Sequence, residues 1–243
     1  MKPQAYVEMA ATEDRHWWFV GRRRIAADAI ARLGLPQPAR ILEGGAGTGG
    51  NLALLSRFGE VEAMELDAAA RELANAKSAG GIVVRPGAFP NEVPFAPGSF
   101  DLVCLFDVLE HVEQDVETLQ VLRGLLRPGG RILLTVPAYR FLWSAHDEFL
   151  LHKRRYTAGE LATKARAGGL KVRKISYFNT VLFPLAALAR LADRLRGGGA
   201  ASGTAVPPAA INRLFAGVLG IEAIWLRRFS LPFGVSLLAV LEA

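Results

Sequence analysis

The chain has 243 residues, 51% of them apolar, enough for one sizeable core with an elaboration. Its one cysteine, Cys104, excludes an intramolecular disulfide and falls in a buried-strand pattern, where a small core hydrophobe is expected. The net charge of +6 permits nucleic-acid contact, but the basic residues are mostly scattered, with small clusters at 22–24, 153–155 and 227–228, and no nucleic-acid-binding module is legible, so no such partner is expected.

Residues 1–36 read as an N-terminal helical cap. The start is polar and mixed in charge, without a signal-peptide pattern, so the cytoplasm is the expected compartment. His16-Trp17-Trp18-Phe19-Val20-Gly21-Arg22-Arg23-Arg24 precedes an amphipathic helix from Ile25, ended by Gly34 and Pro36. Three successive aromatic rings cannot all face one core. Trp17 or Trp18 is therefore expected at an acceptor pocket, with Arg23 meeting an anionic group. The alternative is that the aromatics clamp the helix to a sheet and the arginines stay solvated.

Residues 37–243 read as the main domain, opening on Ile41-Leu42-Glu43-Gly44-Gly45-Ala46-Gly47-Thr48-Gly49-Gly50. A short apolar strand meets an acid, a glycine-rich turn and an apolar helix start, the plan of a nucleotide-type cofactor site in an α/β sheet. The turn satisfies the dinucleotide spacing Gly45-x-Gly47-x-x-Gly50. An acid entering it would repel a pyrophosphate, however, and suits a cationic ligand. A second strand at 61–66 places Glu65 where ribose hydroxyls are bound, and Asp67 reads as a helix N-cap. A third strand covers 82–85. The continuous apolar run 102–106 is typical of a strand buried on both faces. Asp107-Val108-Leu109-Glu110-His111 follows it, and after a helix Arg127-Pro128-Gly129-Gly130 turns into a strand at 131–136.

Taken together, Glu43-x-Gly45-x-Gly47-x-Gly49, Ser99-Phe100-Asp101-Leu102-Val103, Leu109-Glu110-His111-Val112 and Leu126-Arg127-Pro128-Gly129-Gly130 resemble the class I S-adenosylmethionine (SAM) methyltransferases over residues 40–137. The aromatic N-terminal motif and the segment 139–157 resemble a bacterial subgroup of that family. The resemblance implies an α/β, Rossmann-like seven-stranded sheet of order 3-2-1-4-5-7-6, strand seven antiparallel, with helices on both faces. It implies SAM as cofactor and S-adenosylhomocysteine as product. The cofactor residues would be Glu43, Gly44, Gly45, Ala46, Gly47, Thr48, Gly49, Glu65, Leu66, Gly87, Ala88, Phe89, Phe106 and Asp107. Many members carry an acid after strand three for the adenine amino group. Here Gly87-Ala88-Phe89 leaves that contact to the backbone around Ala88, with Phe89 as an apolar edge. Asp107-x-x-Glu110-His111 is also similar to the strand-four motif of ubiquinone-biosynthesis O-methyltransferases, where two acids and a histidine hold a divalent ion. Glu-His also occurs there structurally in members without metal, and no metal is expected.

The loop after strand five gathers the chemistry-bearing residues. His146 is the first choice of general base, with His152 and His111 behind it. Tyr139, Trp143 and Tyr156 would wall the acceptor and Arg154 or Arg155 would fix an anionic group on it. Thr157 and Glu160 read as a capping box. The expected reaction is methylation of a hydroxyl on a small molecule or a glycan, including a lipid-linked one, with an amine or amino sugar as the alternative. From other classes, an NAD(P)-dependent oxidoreductase and a non-catalytic SAM-binding protein also fit.

Strands at 170–177 and 232–241 would be the antiparallel pair, separated by a helical insertion over 178–231. Two apolar helices flank a glycine-rich linker. Neither helix is expected to span a bilayer, because the apolar runs are short and interrupted by arginines. The band of Leu214, Phe215, Val218, Leu219, Ile221, Ala223, Ile224 and Trp225 permits a packed hairpin, a homodimer interface, a lid, or peripheral contact of 181–230 with the inner membrane face.

Overall fold

A computed structural model describes residues 3–78, 81–195 and 205–243; most of the glycine-rich linker lies outside the described residues. One sheet runs in the order β3-β2-β1-β4-β5-β7-β6. Its strands are β1 (Ala39–Gly44), β2 (Gly59–Glu65), β3 (Val84–Pro86), β4 (Phe100–Phe106), β5 (Leu126–Pro137), β6 (Lys171–Phe178) and β7 (Ser236–Glu242). β7 lies antiparallel between β5 and β6, and the other pairings are parallel, so order and direction are those the resemblance implied.

Side-chain alternation explains the apolar runs. In β4, Leu102, Cys104 and Phe106 enter one core while Val103 and Leu105 enter the other. In β7, Leu238 and Val240 face the first, and Leu237, Ala239 and Leu241 the second. A strand with a core on each side needs apolar residues at every position, not at alternate ones. On one face α5 (Asp115–Leu125) and α7 (Ala158–Ala167) supply Leu119, Leu122 and Leu161. On the other, α2 (Trp17–Ala31) and α9 (Ala209–Leu226) supply Ile25, Ile30, Leu219 and Leu226. These two helices cross closely: a Cβ on Gly21 would come within 2.6 Å of Leu219.

Several elements differ from the sequence reading. α2 begins at Trp17, not near Ile25, because His16 caps it, its ring Nδ1 accepting from the Trp18 N–H at 3.2 Å. The aromatic motif is therefore the first turn of the helix itself. β5 is counted from Leu126, but 127–130 bulges out of it as the expected turn: Gly129 holds φ 81°, and the pairing with β4 jumps from Phe100–Leu126 to Leu102–Arg131. The helix after the glycine turn, α3 (Leu52–Leu55), is one turn long. α8 (Phe183–Leu195) and α9 occupy the β6–β7 connection. By length and composition α9 could cross a bilayer, contrary to the expectation, yet in this fold it buries Ala216, Leu219, Glu222, Ala223 and Leu226.

Candidate active site

The carboxyl ends of β1, β2 and β4 open on a cavity of about 980 Å³, at the upper end of the range for small-molecule pockets. Its first lobe is backbone. Gly45, Gly47 and Gly49 hold φ of 73°, 54° and 83°, where only glycine is unstrained. A Cβ on Gly45 would meet Val108 at 2.6 Å, and one on Gly44 would meet the Phe89 ring at 2.6 Å. Gly49 packs on α4 (Ala68–Lys77), its missing Cβ position 3.1 Å from Ala74. Ala46 and Thr48 line the cavity with these main-chain groups.

At the tip of β2, Glu65 accepts from the N–H groups of Gly47 (2.9 Å) and Asp67 (3.0 Å), which aims it at the turn with lone pairs to spare. Asp67 caps α4 by accepting from the Ala70 N–H. Helix α1 (Pro3–Thr12) brings Ala5, Tyr6 and Met9 over this lobe, and just beyond it Glu13 takes hydrogen bonds from Thr48 (2.8 Å) and Lys77 (2.9 Å). Burial, with the charges of Glu65 and Asp67, raises the Tyr6 pKa.

Glu43 occupies a different place from the one its position suggested. It lies beneath the turn, 1% exposed and outside the cavity wall, where Asn51 Nδ2 donates to it at 2.8 Å. Burial raises its carboxyl to about 8, with the Asn51 bond offsetting only part of that. At neutral pH Glu43 is mainly protonated and ties β1 to the turn. Leu66, Gly87, Ala88 and Phe89 do line the lobe. The Ala88 N–H donates to the Glu92 carbonyl and the Ala88 C=O accepts from the Glu92 N–H, both at 2.8 Å, which leaves that carbonyl one lone pair for an amino group.

Asp107 marks the border between lobes, below Phe106. It sits at φ 58° after β4, accepts from Thr135 Oγ1 at 3.0 Å and pairs with Arg22. The Arg22 guanidinium lies 5.6 Å and 5.7 Å from the ring centroids of Phe19 and Phe106. Arg22 was missed in favour of Arg23. Once the helix begins at Trp17, Trp18 and Arg22 fall on one face by i,i+4 spacing, while Arg23 turns aside to the carbonyls of Glu13 (2.7 Å) and Gly50 (3.4 Å).

The second lobe is made of side chains. Trp17 and Trp18 both line it, Trp18 stacked on Phe178 (5.6 Å, 9°) and Trp17 edge-on to Phe215 (5.3 Å). His111, His146 and His152 converge there, the His152 ring centroid 4.8 Å from that of His111 and 6.5 Å from that of His146. Behind His152 stands Asp147 of α6 (Ala145–Phe149), fully buried, with its Oδ1 2.9 Å from His152 Nδ1. Arg155 donates to Asp147 through Nε (2.7 Å) and a second nitrogen (3.0 Å), and the Ser144 N–H adds a bond of 2.9 Å. Burial alone would raise this carboxyl, but the bonds from His152 and Arg155 more than offset it and hold Asp147 below the usual range. An ionised Asp147 favours hydrogen on His152 Nδ1 and leaves a lone pair on Nε2.

Burial, then the neighbouring His152, lowers the pKa of His111 to about 3, so it is neutral. Glu110 is fully buried, and among the described residues neither of its carboxylate oxygens has a hydrogen-bond partner. Glu110, His111 and His152 offer ligand atoms all within 4.8 Å of one another.

Four expected acceptor contacts lie elsewhere. Tyr139 stacks on Tyr177 (5.0 Å) and Phe141 (5.1 Å); Tyr156 is core, its OH donating to Asp115 at 3.0 Å; Arg154 pairs with Asp115 at 2.8 Å; and Trp143 is outside the cavity wall. Arg155 touches the wall but is engaged by Asp147 and the Ala138 carbonyl (3.0 Å). Buried Asp115 and Asp147 pull these cations inward, which residue type alone did not reveal. Ser144, Asn179 and the α8 residues Ala186, Ala189 and Arg190 complete the lobe instead.

A family model described as a methyltransferase domain matches residues 19–195. The chain belongs to that family. The methyltransferase is 31% identical over 153 residues to a malonyl-[acyl-carrier protein] O-methyltransferase of Enterobacter lignolyticus, covering 60% of each chain. It is 30% identical over 93 residues to a ubiquinone biosynthesis O-methyltransferase of Aeromonas salmonicida, covering 33% of this chain and 39% of the relative. It thus spans less than two thirds of the length of either relative. Among solved structures, the protein in complex with the Haloferax volcanii Trm112 methyltransferase activator superposes with a TM-score of 0.64 at 20% identity, covering 98% of this chain and 97% of that one. SAM is the cofactor of the family, and the first lobe fits it: bare glycine backbone, a carboxylate at the β2 tip and an apolar edge from Phe89.

Proposed function

We propose that this methyltransferase methylates a hydroxyl oxygen of a small molecule or glycan, with His152 as the base. The observation that carries the reading is the buried Asp147–His152 pair at the wall of a lobe continuous with the cofactor lobe, with His152 Nε2 3.9 Å from the Glu110 carboxyl. When bound, SAM supplies an electrophilic methyl carbon on a cationic sulfur. The glycine turn and Glu65 hold the cofactor, while Trp17 and Trp18 wall the acceptor and exclude water. In that transfer His152 Nε2 would take the proton released by the acceptor hydroxyl, and Asp147 would stabilise the resulting imidazolium. The two relatives, both O-methyltransferases, support oxygen as the acceptor atom. A site of action in the cytoplasm or at the inner membrane face belongs to the same reading.

A second reading is favoured by Glu110. A buried carboxyl with no hydrogen-bond partner among the described residues, beside two histidines, has the donor set for a divalent cation, held by Glu110, His111 and His152. That would use the same Nε2 lone pair, so the two roles of His152 exclude one another. Activity unchanged by EDTA eliminates the cation; activity lost and restored by a divalent metal eliminates the free base.

Labelled SAM incubated with cell extract and the enzyme, followed by mass spectrometry of the labelled product, tests the acceptor. Label on oxygen is expected, falling at least about 100-fold with His152→Ala while SAM affinity is kept. Label on nitrogen would assign the amine reaction instead.

A further inference from the structure

Helix α9 is apolar on both sides. Its inner face, Ala216, Leu219, Ala223 and Leu226, is core. Its outer stripe, Ile211, Leu214, Ile221, Ile224 and Trp225, is between 43% and 62% exposed. A helix apolar all round belongs in a core or in lipid, and here half of it faces neither. Its one acid, Glu222, is turned inward and accepts from the Val181 N–H at 2.8 Å. Cations mark its ends: Arg213 in the first turns, and Arg227 and Arg228 after the last. Arg32 joins Arg227, Arg228 and the exposed Trp225 and Phe229 around one shallow hollow. Asp28 pairs with Arg227 (2.7 Å) and Arg32 (3.3 Å), leaving that end net positive.

We infer that the outer stripe of α9 docks on an anionic bilayer surface, and that the acceptor is an amphiphile methylated there. An apolar stripe framed by arginines complements acyl chains framed by anionic headgroups. A second copy complements it poorly. Pairing two α9 helices in either direction brings arginine ends against arginine ends. The neighbouring α8 links the surface to the cavity: Ala186, Ala189 and Arg190 line the acceptor lobe, while Leu185 and Leu188 are 55% and 65% exposed. An acceptor tail can remain in lipid while its head reaches His152. This last step rests on the methyltransferase reading; the docking does not.

Flotation of the full chain with phosphatidylcholine vesicles, with and without roughly 30% phosphatidylglycerol, tests the inference, with SAM calorimetry on every variant. The chain is expected to float with the anionic vesicles, at least about tenfold less with the neutral ones, and less at high salt. Leu214→Glu with Ile221→Glu should abolish flotation, and Arg227→Glu with Arg228→Glu should cut it about tenfold or more, with SAM binding unchanged in both. Wild type that binds SAM but stays at the bottom overturns the docking alone. Wild type that fails to bind SAM overturns the reaction instead. A dimer that the Leu214→Glu, Ile221→Glu variant splits would assign the stripe to a second copy.

Discussion

The two lobes of one cavity are built in opposite ways. The cofactor lobe is mainly strand tips and turn backbone held by glycines whose φ values leave no room for substitution. The acceptor lobe is side chains drawn from α2, the loop after β4, α6 and α8, regions far apart in the chain and joined by a few buried ionic contacts. A lobe made of backbone fixes where the methyl donor lies and tolerates little change. A lobe made of side chains can be rebuilt for another acceptor as long as its anchors hold. Asp147 is the chief anchor here, since it fixes His152 and neutralises Arg155 together.

Substitutions should separate the lobes. Asp147→Asn is expected to have the largest effect, lowering kcat about 10²–10⁴-fold with little change in SAM affinity, because His152 loses its orienting anion. It also leaves Arg155 buried without a full counter-charge, at a cost of about 3–5 kcal/mol, read by chemical denaturation. Gly45→Val should act in the opposite sense. Strain at φ 73° and the 2.6 Å approach to Val108 should cost about 1–3 kcal/mol and weaken SAM binding at least about tenfold. Comparable losses of SAM affinity in both variants would show that the lobes are not separable.

Glu43 gives a smaller effect with a defined pH signature. Its folded pKa, about 8, is raised above the usual 4.5, so its contribution to stability is fully present below pH 4.5 and is lost as pH rises through 8. Glu43→Gln should therefore gain stability relative to wild type across that window and level off above it. A difference independent of pH would mean that Glu43 is ionised in the fold. Smallest of all, Tyr156→Phe should cost about 1 kcal/mol through the lost bond to Asp115 and leave kcat untouched.

The same contrast explains what the sequence made legible. Glycine spacing, the two-sided apolar strands and Asp67 as a cap are local signals, and each has a local physical cause. The acceptor lobe depends on longer-range facts. Arg22 replaced Arg23 because the helix begins at Trp17, which set the phase of the whole face. Arg154 and Tyr156 were drawn into the core by Asp115, and Arg155 by Asp147, whose burial no neighbouring residue announces. Glu43 was assigned to the ligand by its position at a strand tip, but its side chain points below the turn to Asn51.

The central claim is that the bare-backbone lobe beside Glu65 receives SAM. Calorimetric titration of the purified chain with SAM and, separately, with NADH tests it most directly. The account predicts stoichiometric SAM binding that Gly45→Val weakens, and no heat from NADH. Binding of NADH with SAM ignored would contradict it.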